Sequence, residues 1–207
     1  MHIQPLFAIS ERQALHQLMR DYPLATVISA RNGSAEANLL PLDLRDSGAH
    51  GRLSGHVART HGLWMEGPKG FEVTVFFQGP NAYISPRWYI NGQRSGRNAP
   101  SWNYVAVQAR GQLRFTQDAD WMAAHLASLT AGQEAGRPDP WSVDDAAPGF
   151  LNEIMQRLVG FEIDIEELTG KRFLSQQRTE ADRESLARNL ALESSLSAQA
   201  LGRLLKP

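Results

Sequence analysis

Short strand-forming runs joined by tight turns limit the folds open to this chain more than any other feature. Residues 25–30 form a β-type run that leads into Arg31-Asn32-Gly33, and Asn-Gly is a strong hairpin signal. The chain returns as a predicted strand over 35–44, and Asp46-Ser47-Gly48 marks a second turn before a strand over 51–57. Strands at such short spacing pair in antiparallel fashion, so we predict a mainly β fold, a barrel or a sandwich, with helices.

The rest of the chain adds strands and becomes more helical towards its end. It shows no repeated β–α–β spacing, which argues against a doubly wound parallel sheet. Hydrophobic periodicity and turn residues predict further strands over 72–77, 104–115 and 159–165. They also predict a helix that begins after Ser10 as its N-cap, and helices over 118–130 and 150–158. Residues 180–205 are predicted to form one long terminal helix.

Composition indicates an ordinary globular protein. The chain has 207 residues, of which 42% are hydrophobic, and its net charge of −1 argues against a broad nucleic-acid surface. There is no cysteine, no apolar run near the ~20 residues of a membrane span, and no signal-peptide pattern at the N-terminus. We therefore expect a cytoplasmic protein, with one domain over 1–178 and a C-terminal helix over 179–207 that packs on that domain or on a partner.

A run of aromatic, polar and small residues occupies the middle of the chain, over Phe76–Tyr89 and again over Ala99–Tyr104. Flat rings alternate with hydrogen-bonding groups, which suits a planar ligand with polar edges. Aromatic side chains are more often core, and we assign Phe76, Phe77 and Tyr104 to it. Four rings lie beside loop signals and fit either interpretation equally well: Tyr83, Trp88, Tyr89 and Trp102.

Basic residues suggest two possible anion contacts. His56 and Arg59 lie where a predicted strand meets a helix start, and an arginine there could hold a phosphate, although spacing alone favours a surface arginine and a half-buried histidine. A metal site is a weaker hypothesis, because His56 and His61 have no carboxylate between them. The basic segment Lys171–Arg178 could contact a phosphate or a ring edge, but its charge pattern favours a solvated face.

Motifs of several common enzyme classes are absent. The sequence has no Gly-x-Ser-x-Gly, no P-loop and no Rossmann glycine pattern. A hydrolase or a kinase is therefore not expected, and no residue stands out as catalytic.

Four stretches together resemble the PaiB family of FMN-binding negative transcriptional regulators. They are Leu53–Arg59, Phe77–Tyr89, Pro100–Tyr104 and Lys171–Arg178. The resemblance implies an FMN-binding split β-barrel with a helical C-terminal appendage. That fold is shared with proteins like pyridoxamine-phosphate oxidase, which are typically homodimers that bind flavin at the subunit interface.

The resemblance also implies roles for individual residues around an FMN cofactor. His56 and Arg59 would hold the phosphate. The remaining contacts would come from three places: Asn38 and Leu39 at the ring edge, Tyr83, Ser85, Trp88 and Trp102 along the ring or ribityl chain, and Lys171, Ser175 and Gln176 from the C-terminal region of this chain or its partner.

The chain departs from the family pattern at three places. Gln108 stands where the family usually has histidine, His61-Gly62 where it usually has Asn-Pro, and Gln177 where it usually has asparagine. Acid–base chemistry by that histidine would be impossible here, whereas the proposed phosphate contacts remain.

Three functions stay open on the sequence alone. The first is a flavin-binding regulator, for which no basic recognition helix is evident, so direct DNA binding is left undecided. The second is an FMN-dependent oxidoreductase acting on a small molecule, in which the flavin carries the electrons. The third is a structural or interaction module whose flavin site has degenerated.

Overall fold

The computed structural model describes residues 1–31, 33–65, 67 and 69–205. The strands are β1 (Ala8–Ile9), β2 (Leu24–Arg31), β3 (Ser34–Pro41), β4 (Asp43–Arg45), β5 (Arg52–Ala58), β6 (Phe71–Ile84), β7 (Ser101–Thr116) and β8 (Leu158–Phe173). The helices are α1 (Arg12–Asp21), α2 (Gly62–Met65), α3 (Ile90–Ser95), α4 (Ala119–Glu134), α5 (Phe150–Met155), α6 (Glu180–Leu192) and α7 (Leu196–Leu204), with 3₁₀ turns at Pro5–Phe7, Pro86–Trp88 and Val143–Asp145.

The strands form one sheet in the order β3-β2-β6-β7-β8-β5-β4, and β1 pairs with β8. The pairs β1/β8, β2/β3, β2/β6, β4/β5 and β5/β8 are antiparallel, which confirms the predicted mainly β fold. The predicted hairpin is also confirmed, since Arg31 pairs with Ser34 at its tip, although Asn32 lies outside the described residues. No helix in the described part of the chain is both long enough and apolar enough to cross a membrane.

The chain divides into two compact units. Unit 1 comprises Met1–Tyr22, Phe77–Gln108 and Thr169–Pro207, and unit 2 comprises Pro23–Phe76 and Ala109–Leu168. The predicted domain boundary at residue 178 stays a prediction.

Unit 2 has a core made by alternate residues of its strands. Strand β5 pairs with β8 over seven residues, and this register sets Leu53 opposite Ile163 and Val57 opposite Val159, all four of them buried. Strand β7 follows the predicted alternation, with Leu113 fully buried. The period of two along a strand explains why these residues share one face.

Unit 1 buries one face of α1 and the facing sides of α6 and α7. Leu186, Leu190 and Leu201 are fully buried. The predicted N-cap at Ser10 is wrong, because Glu11 occupies that position without a side-chain cap. Ile9 still pairs with Gly170 in β1, so the backbone stays extended through Glu11 and the helix begins one residue later.

The single helix predicted over 180–205 is wrong as well. Glu193 is extended, with φ −65° and ψ 147°, and ends α6. The Ser195 side chain then accepts a hydrogen bond from Ala198 N at 3.4 Å and begins α7. Serine competes for backbone donors in this way, which favours helix starts over helix interiors. Gly202 lets α7 approach α6 closely, because a Cβ there would lie 3.1 Å from the Cβ of Leu190.

Two strands run further than their local patterns predicted. Strand β6 continues to Ile84 and β8 continues to Phe173. The first half of the aromatic run is therefore strand, and Phe77 lies in the core as expected, with 2% of its surface exposed.

We expect Gly111→Ala to destabilise the protein by about 2 kcal/mol or more, since overpacking against rigid backbone cannot relax cheaply. A Cβ at Gly111 would overlap the carbonyl oxygen of Asp164 and lie 2.9 Å from its carbonyl carbon. Gly132→Ala is the matched control. Nothing lies within 4 Å of that helical position, so alanine should stabilise α4 by about 0.5 to 1 kcal/mol. Urea unfolding measures both changes, and equal stabilities would contradict the argument.

Candidate functional site

Arg59 is placed in unit 2 by the end of strand β5. Its backbone N donates to Arg157 O at 2.9 Å, which fixes the turn after the strand. Its guanidinium donates from Nε to Gln156 O at 2.7 Å and from Nη1 to Gln117 Oε1 at 2.6 Å. Both acceptors are neutral, and no carboxylate forms an ion pair with Arg59 within the part of the chain that the structure describes. The positive charge is thus held in place but not neutralised.

A cleft of about 430 Å³ in unit 2 contains this guanidinium. Its one acid, Asp118, is the N-cap of α4 and accepts from Trp121 N at 2.9 Å. Amide and apolar side chains make up most of the remaining wall, which is formed by Gln117, Ala119, Met122, Asn152, Met155, Gln156 and Leu158. The cleft therefore presents the Arg59 cation, the Asp118 carboxylate at the start of α4, several neutral hydrogen-bonding groups and apolar side chains.

His56, on strand β5, contacts a second histidine. Its Nδ1 lies 3.1 Å from Nε2 of His125 on α4. His125 is fully buried. Burial lowers the pKa of His56, and burial together with the neighbouring His56 lowers the pKa of His125 to about 4. Both rings are therefore neutral at physiological pH.

An indole and a carboxylate hold His125 in position. The His125 ring stacks on Trp121 at 5.0 Å with an interplanar angle of 17°, and Trp121 Nε1 donates to Glu162 Oε1 at 3.1 Å. Arg52 donates to the other oxygen of Glu162 at 3.2 Å. Gly160 makes room for this arrangement, because a Cβ at that position would overlap the Trp121 ring.

Asn38 and Leu39 also belong to unit 2, on strand β3. Strand β3 is the first strand in the order of the sheet, and β5 is the second from the other end. Backbone pairing therefore does not bring Asn38 and Leu39 next to His56 or Arg59. The Leu39 side chain is 61% exposed. Asn38 Nδ2 is buried and has no hydrogen-bond partner among the described residues.

Four predicted ligand residues line one cleft in unit 1, of about 570 Å³. Tyr83 and Trp102 meet edge to face, with ring centroids 6.2 Å apart, and both are about half exposed. Trp102 Nε1 donates to Asn81 Oδ1 at 3.0 Å, which fixes the indole. Ser85 and Trp88 complete this side of the cleft. Tyr89, in contrast, is 1% exposed and belongs to the core.

The predicted residues of the C-terminal segment have partners within unit 1. Lys171 Nζ lies 5.2 Å from the centre of the Tyr104 ring. Ser175 is 1% exposed and exchanges hydrogen bonds with Asn103 at 3.0 and 3.2 Å. The Gln176 side chain accepts from Leu174 N at 2.8 Å and donates to Arg172 O in β8. The predicted flavin contacts of these three residues stay a prediction.

Sequence reasoning missed His125, the buried partner of His56, and three residues of the unit 1 cleft. His125 was not found, since it lies 69 positions from His56 and no local pattern connects them. Glu193, Ser195 and Ser197 line the aromatic cleft of unit 1 but were placed inside a continuous helix. The Ser194-Ser195 pair was the available signal for a helix break there. The described residues contain no cluster of three or more histidine, aspartate or glutamate side chains that could hold a metal ion.

Acid should destabilise the fold through His125. In the unfolded chain its pKa returns to the ordinary 6.5, so as the pH falls the unfolded chain binds a proton that the folded protein binds only near pH 4. The free energy of unfolding should therefore fall by about 3 kcal/mol as the pH drops from 6.5 to 4. We expect His125→Phe to flatten the pH dependence of urea unfolding, whereas His2→Gln, at an exposed position, should not. A variant without His125 that keeps the full acid sensitivity would contradict this assignment.

Sequence comparison connects the chain to a flavin-binding family. A family model described as "Putative FMN-binding domain" matches residues 1–167. The "Protease synthase and sporulation protein PAI 2" of Bacillus subtilis is 29% identical over 206 residues, which span all of this chain and 97% of that protein.

Solved structures agree on the fold. The flavocytochrome Anf3 from Azotobacter vinelandii has a TM-score of 0.63 at 14% identity, over 83% of this chain and 72% of that chain. The FAD and heme binding protein from Mycobacterium smegmatis has a TM-score of 0.58 at 16% identity, over 87% of this chain and 79% of that chain. The predicted split-barrel fold is confirmed, and the chain belongs to the PaiB family of FMN-binding split-barrel proteins.

Proposed function

We propose that this protein is an FMN-binding flavoprotein whose unit 2 holds the cofactor's phosphate at Arg59. The observation that supports this proposal is that the Arg59 guanidinium is held in place without a carboxylate partner among the described residues. Two neutral oxygens, Gln156 O and Gln117 Oε1, hold it in place, and no carboxylate of the described residues neutralises it. A fixed and uncompensated arginine is suited to a phosphate dianion.

The unused donors of Arg59 fit a phosphate. A guanidinium carries five N–H donors, and Arg59 uses two of them, so three remain for a ligand. His56 is partly exposed, and its Nε2 makes no hydrogen bond with the described residues. On β3, Asn38 Nδ2 is a buried donor that lacks a partner among the described residues. This free donor supports the role that the family resemblance implies for β3, at the polar edge of the flavin ring. When bound, FMN would supply the redox chemistry.

The aromatic cleft of unit 1 supports a second proposal, that unit 1 binds a planar ring system. Tyr83 and Trp102 offer half-exposed rings, and Ser85 and Asn81 offer polar groups beside them. Rings fixed in this way favour stacking with a planar ring system. We propose that this cleft takes such a ring, with Trp88 along its wall.

Arg59→Ala should weaken FMN binding by about 1.5 to 3 kcal/mol, the size of a hydrogen bond to a charged group. Binding of riboflavin, which lacks the phosphate, should not change. Arg157→Ala is the control, since it removes the same charge from an exposed residue that does not line the cleft. Isothermal titration with both ligands measures the effect. No FMN binding by the wild-type protein would refute the proposal, and an equal loss for FMN and riboflavin would remove Arg59 from the phosphate site.

We further propose that the protein is a homodimer, because one face of the β2–β3 hairpin is apolar and exposed. Directly opposite residues of an antiparallel pair share a face, and the register pairs Leu24 with Pro41 and Thr26 with Leu39. The whole face carries no charged side chain and consists of Leu24, Thr26, Ile28, Ala30, Ala35, Ala37, Leu39 and Pro41.

A second copy is the partner that this face fits best. Leu24 and Leu39 are 56% and 61% exposed, and β3 is an edge strand. Edge strands with apolar faces associate unless they are covered. A two-fold axis would bring the same face against itself and cover both copies at once.

Leu39→Glu should shift the protein from dimer to monomer in analytical ultracentrifugation, because two carboxylates would meet in an apolar contact. Leu192→Glu provides the control, since Leu192 is also an exposed leucine, at 85%, but lies at the end of α6 in unit 1. A wild-type monomer, or a Leu39→Glu dimer of unchanged stability, would disprove this interface.

We also propose that the protein has a regulatory role. It is supported by the resemblance to the family of negative transcriptional regulators and by the name of the Bacillus relative, which includes the words "sporulation protein". Direct DNA contact is not part of this proposal, since the net charge is −1. A gel shift that persists at physiological salt would require DNA contact to be added. The cytoplasmic location stays a prediction.

A further inference from the structure

Two histidines in hydrogen-bond contact determine each other's proton positions. His56 Nδ1 and His125 Nε2 are 3.1 Å apart, and both rings are neutral near pH 7. In a neutral pair one nitrogen must donate and the other must accept. Only two arrangements are therefore possible. The one N–H that lies outside the contact is on His56 Nε2 in the first and on His125 Nδ1 in the second.

Burial distinguishes the two arrangements. His125 is fully buried, and its Nδ1 has no partner among the described residues. If His125 Nε2 donates, that Nδ1 is a bare lone pair. If His56 Nδ1 donates instead, His125 carries its proton on Nδ1, which leaves a buried N–H without an acceptor. Orphaned buried N–H groups are rarer than under-satisfied acceptors, so the structure favours donation from His125.

Intrinsic chemistry favours the same arrangement. A neutral imidazole side chain carries its proton on Nε2 by preference. Donation from His125 Nε2 to His56 Nδ1 places both rings in that tautomer, whereas the alternative places both in the less stable one. The burial of His125 and the Nε2 preference of a neutral imidazole thus select the same proton arrangement for the pair.

The selected arrangement has a consequence at the open side of His56. With Nδ1 as acceptor, the proton of this partly exposed ring lies on Nε2, which has no hydrogen-bond partner among the described residues. We propose that His125 is a positioning residue that fixes His56 as a neutral N–H donor for a phosphate oxygen of the bound cofactor. This inference rests on the proposed FMN function.

The surroundings of His125 are suited to this task. The Trp121 indole stacks flat on the ring and is itself tied to Glu162, so the imidazole has little freedom to turn. Gly160, which pairs with His56 between β5 and β8, leaves the space that the indole fills. A group held in this way can impose a tautomer on its neighbour, as residues behind a metal-ligating histidine do.

Nitrogen NMR of ¹⁵N-histidine-labelled protein tests the tautomer without any ligand. We expect a protonated, pyrrole-type Nε2 and an unprotonated, pyridine-type Nδ1 for His56 in the wild-type protein near neutral pH. A His56 protonated on Nδ1 overturns the inference, whatever the protein binds.

Two variants then test the link to binding. His125→Leu removes the donor, so His56 should become a mixture of tautomers and FMN affinity should fall about fivefold to tenfold, the worth of one hydrogen bond. His125→Gln keeps an amide donor and should restore most of the affinity and the single tautomer. Riboflavin affinity should stay unchanged in both variants.

The outcomes separate this inference from the proposed function. Wild-type protein with the expected tautomer but no affinity for FMN refutes the proposed function and the phosphate contact together. A folded His125→Leu variant that keeps both the tautomer and the FMN affinity refutes the role of His125 alone. If His125→Leu does not fold, the wild-type spectrum and the comparison with His125→Gln still decide the question.

Discussion

The register between strands β5 and β8 is the constraint on which unit 2 depends. Seven residue pairs join the strands, and they sort into two faces. One face is the core, where Gly55 lies opposite Phe161 and has no Cβ to overlap that ring. On the other face His56 lies opposite Gly160. A slip by one residue would exchange the faces and place Phe161 or Val159 beside His56.

The same register prepares the polar face for the histidine pair. Arg52 lies opposite Asp164 and donates to it at 2.7 Å, and it also reaches Glu162, the acceptor of the Trp121 N–H. Half-exposed ion pairs of this kind add little stability. Their effect here is directional, because they fix the carboxylate that fixes the indole, and the indole orients His125.

Local signals were enough to predict much of the fold. The Asn-Gly turn predicted the β2–β3 hairpin, and hydrophobic periodicity over 104–115 predicted most of strand β7. The terminal helix break was missed because leucines continue at helical spacing through Leu186, Leu190 and Leu201, and this periodicity outweighed the serine signal at Ser195. Whether a side chain caps or continues a helix depends on its neighbours in space, which a single sequence does not show.

The candidate site was predictable in part, for a related reason. The family resemblance indicated Arg59 and the mixture of rings and polar groups indicated the aromatic residues, and the structure places Arg59 on one cleft and Tyr83, Trp88 and Trp102 on another. Neither the neutral acceptors that hold Arg59 nor the role of Ser175 could be foreseen, since both depend on contacts between distant segments. Ser175 adopts φ +60° and is buried against Asn103, whereas the family resemblance implied only a ligand contact.

The charge distribution around the proposed phosphate position indicates how it would discriminate among ligands. Arg59 supplies one permanent charge, whereas burial keeps His56 neutral by lowering its pKa. A site of this kind gains more from oriented donors than from net charge, because an N–H fixed in direction favours a phosphate oxygen over a diffuse anion.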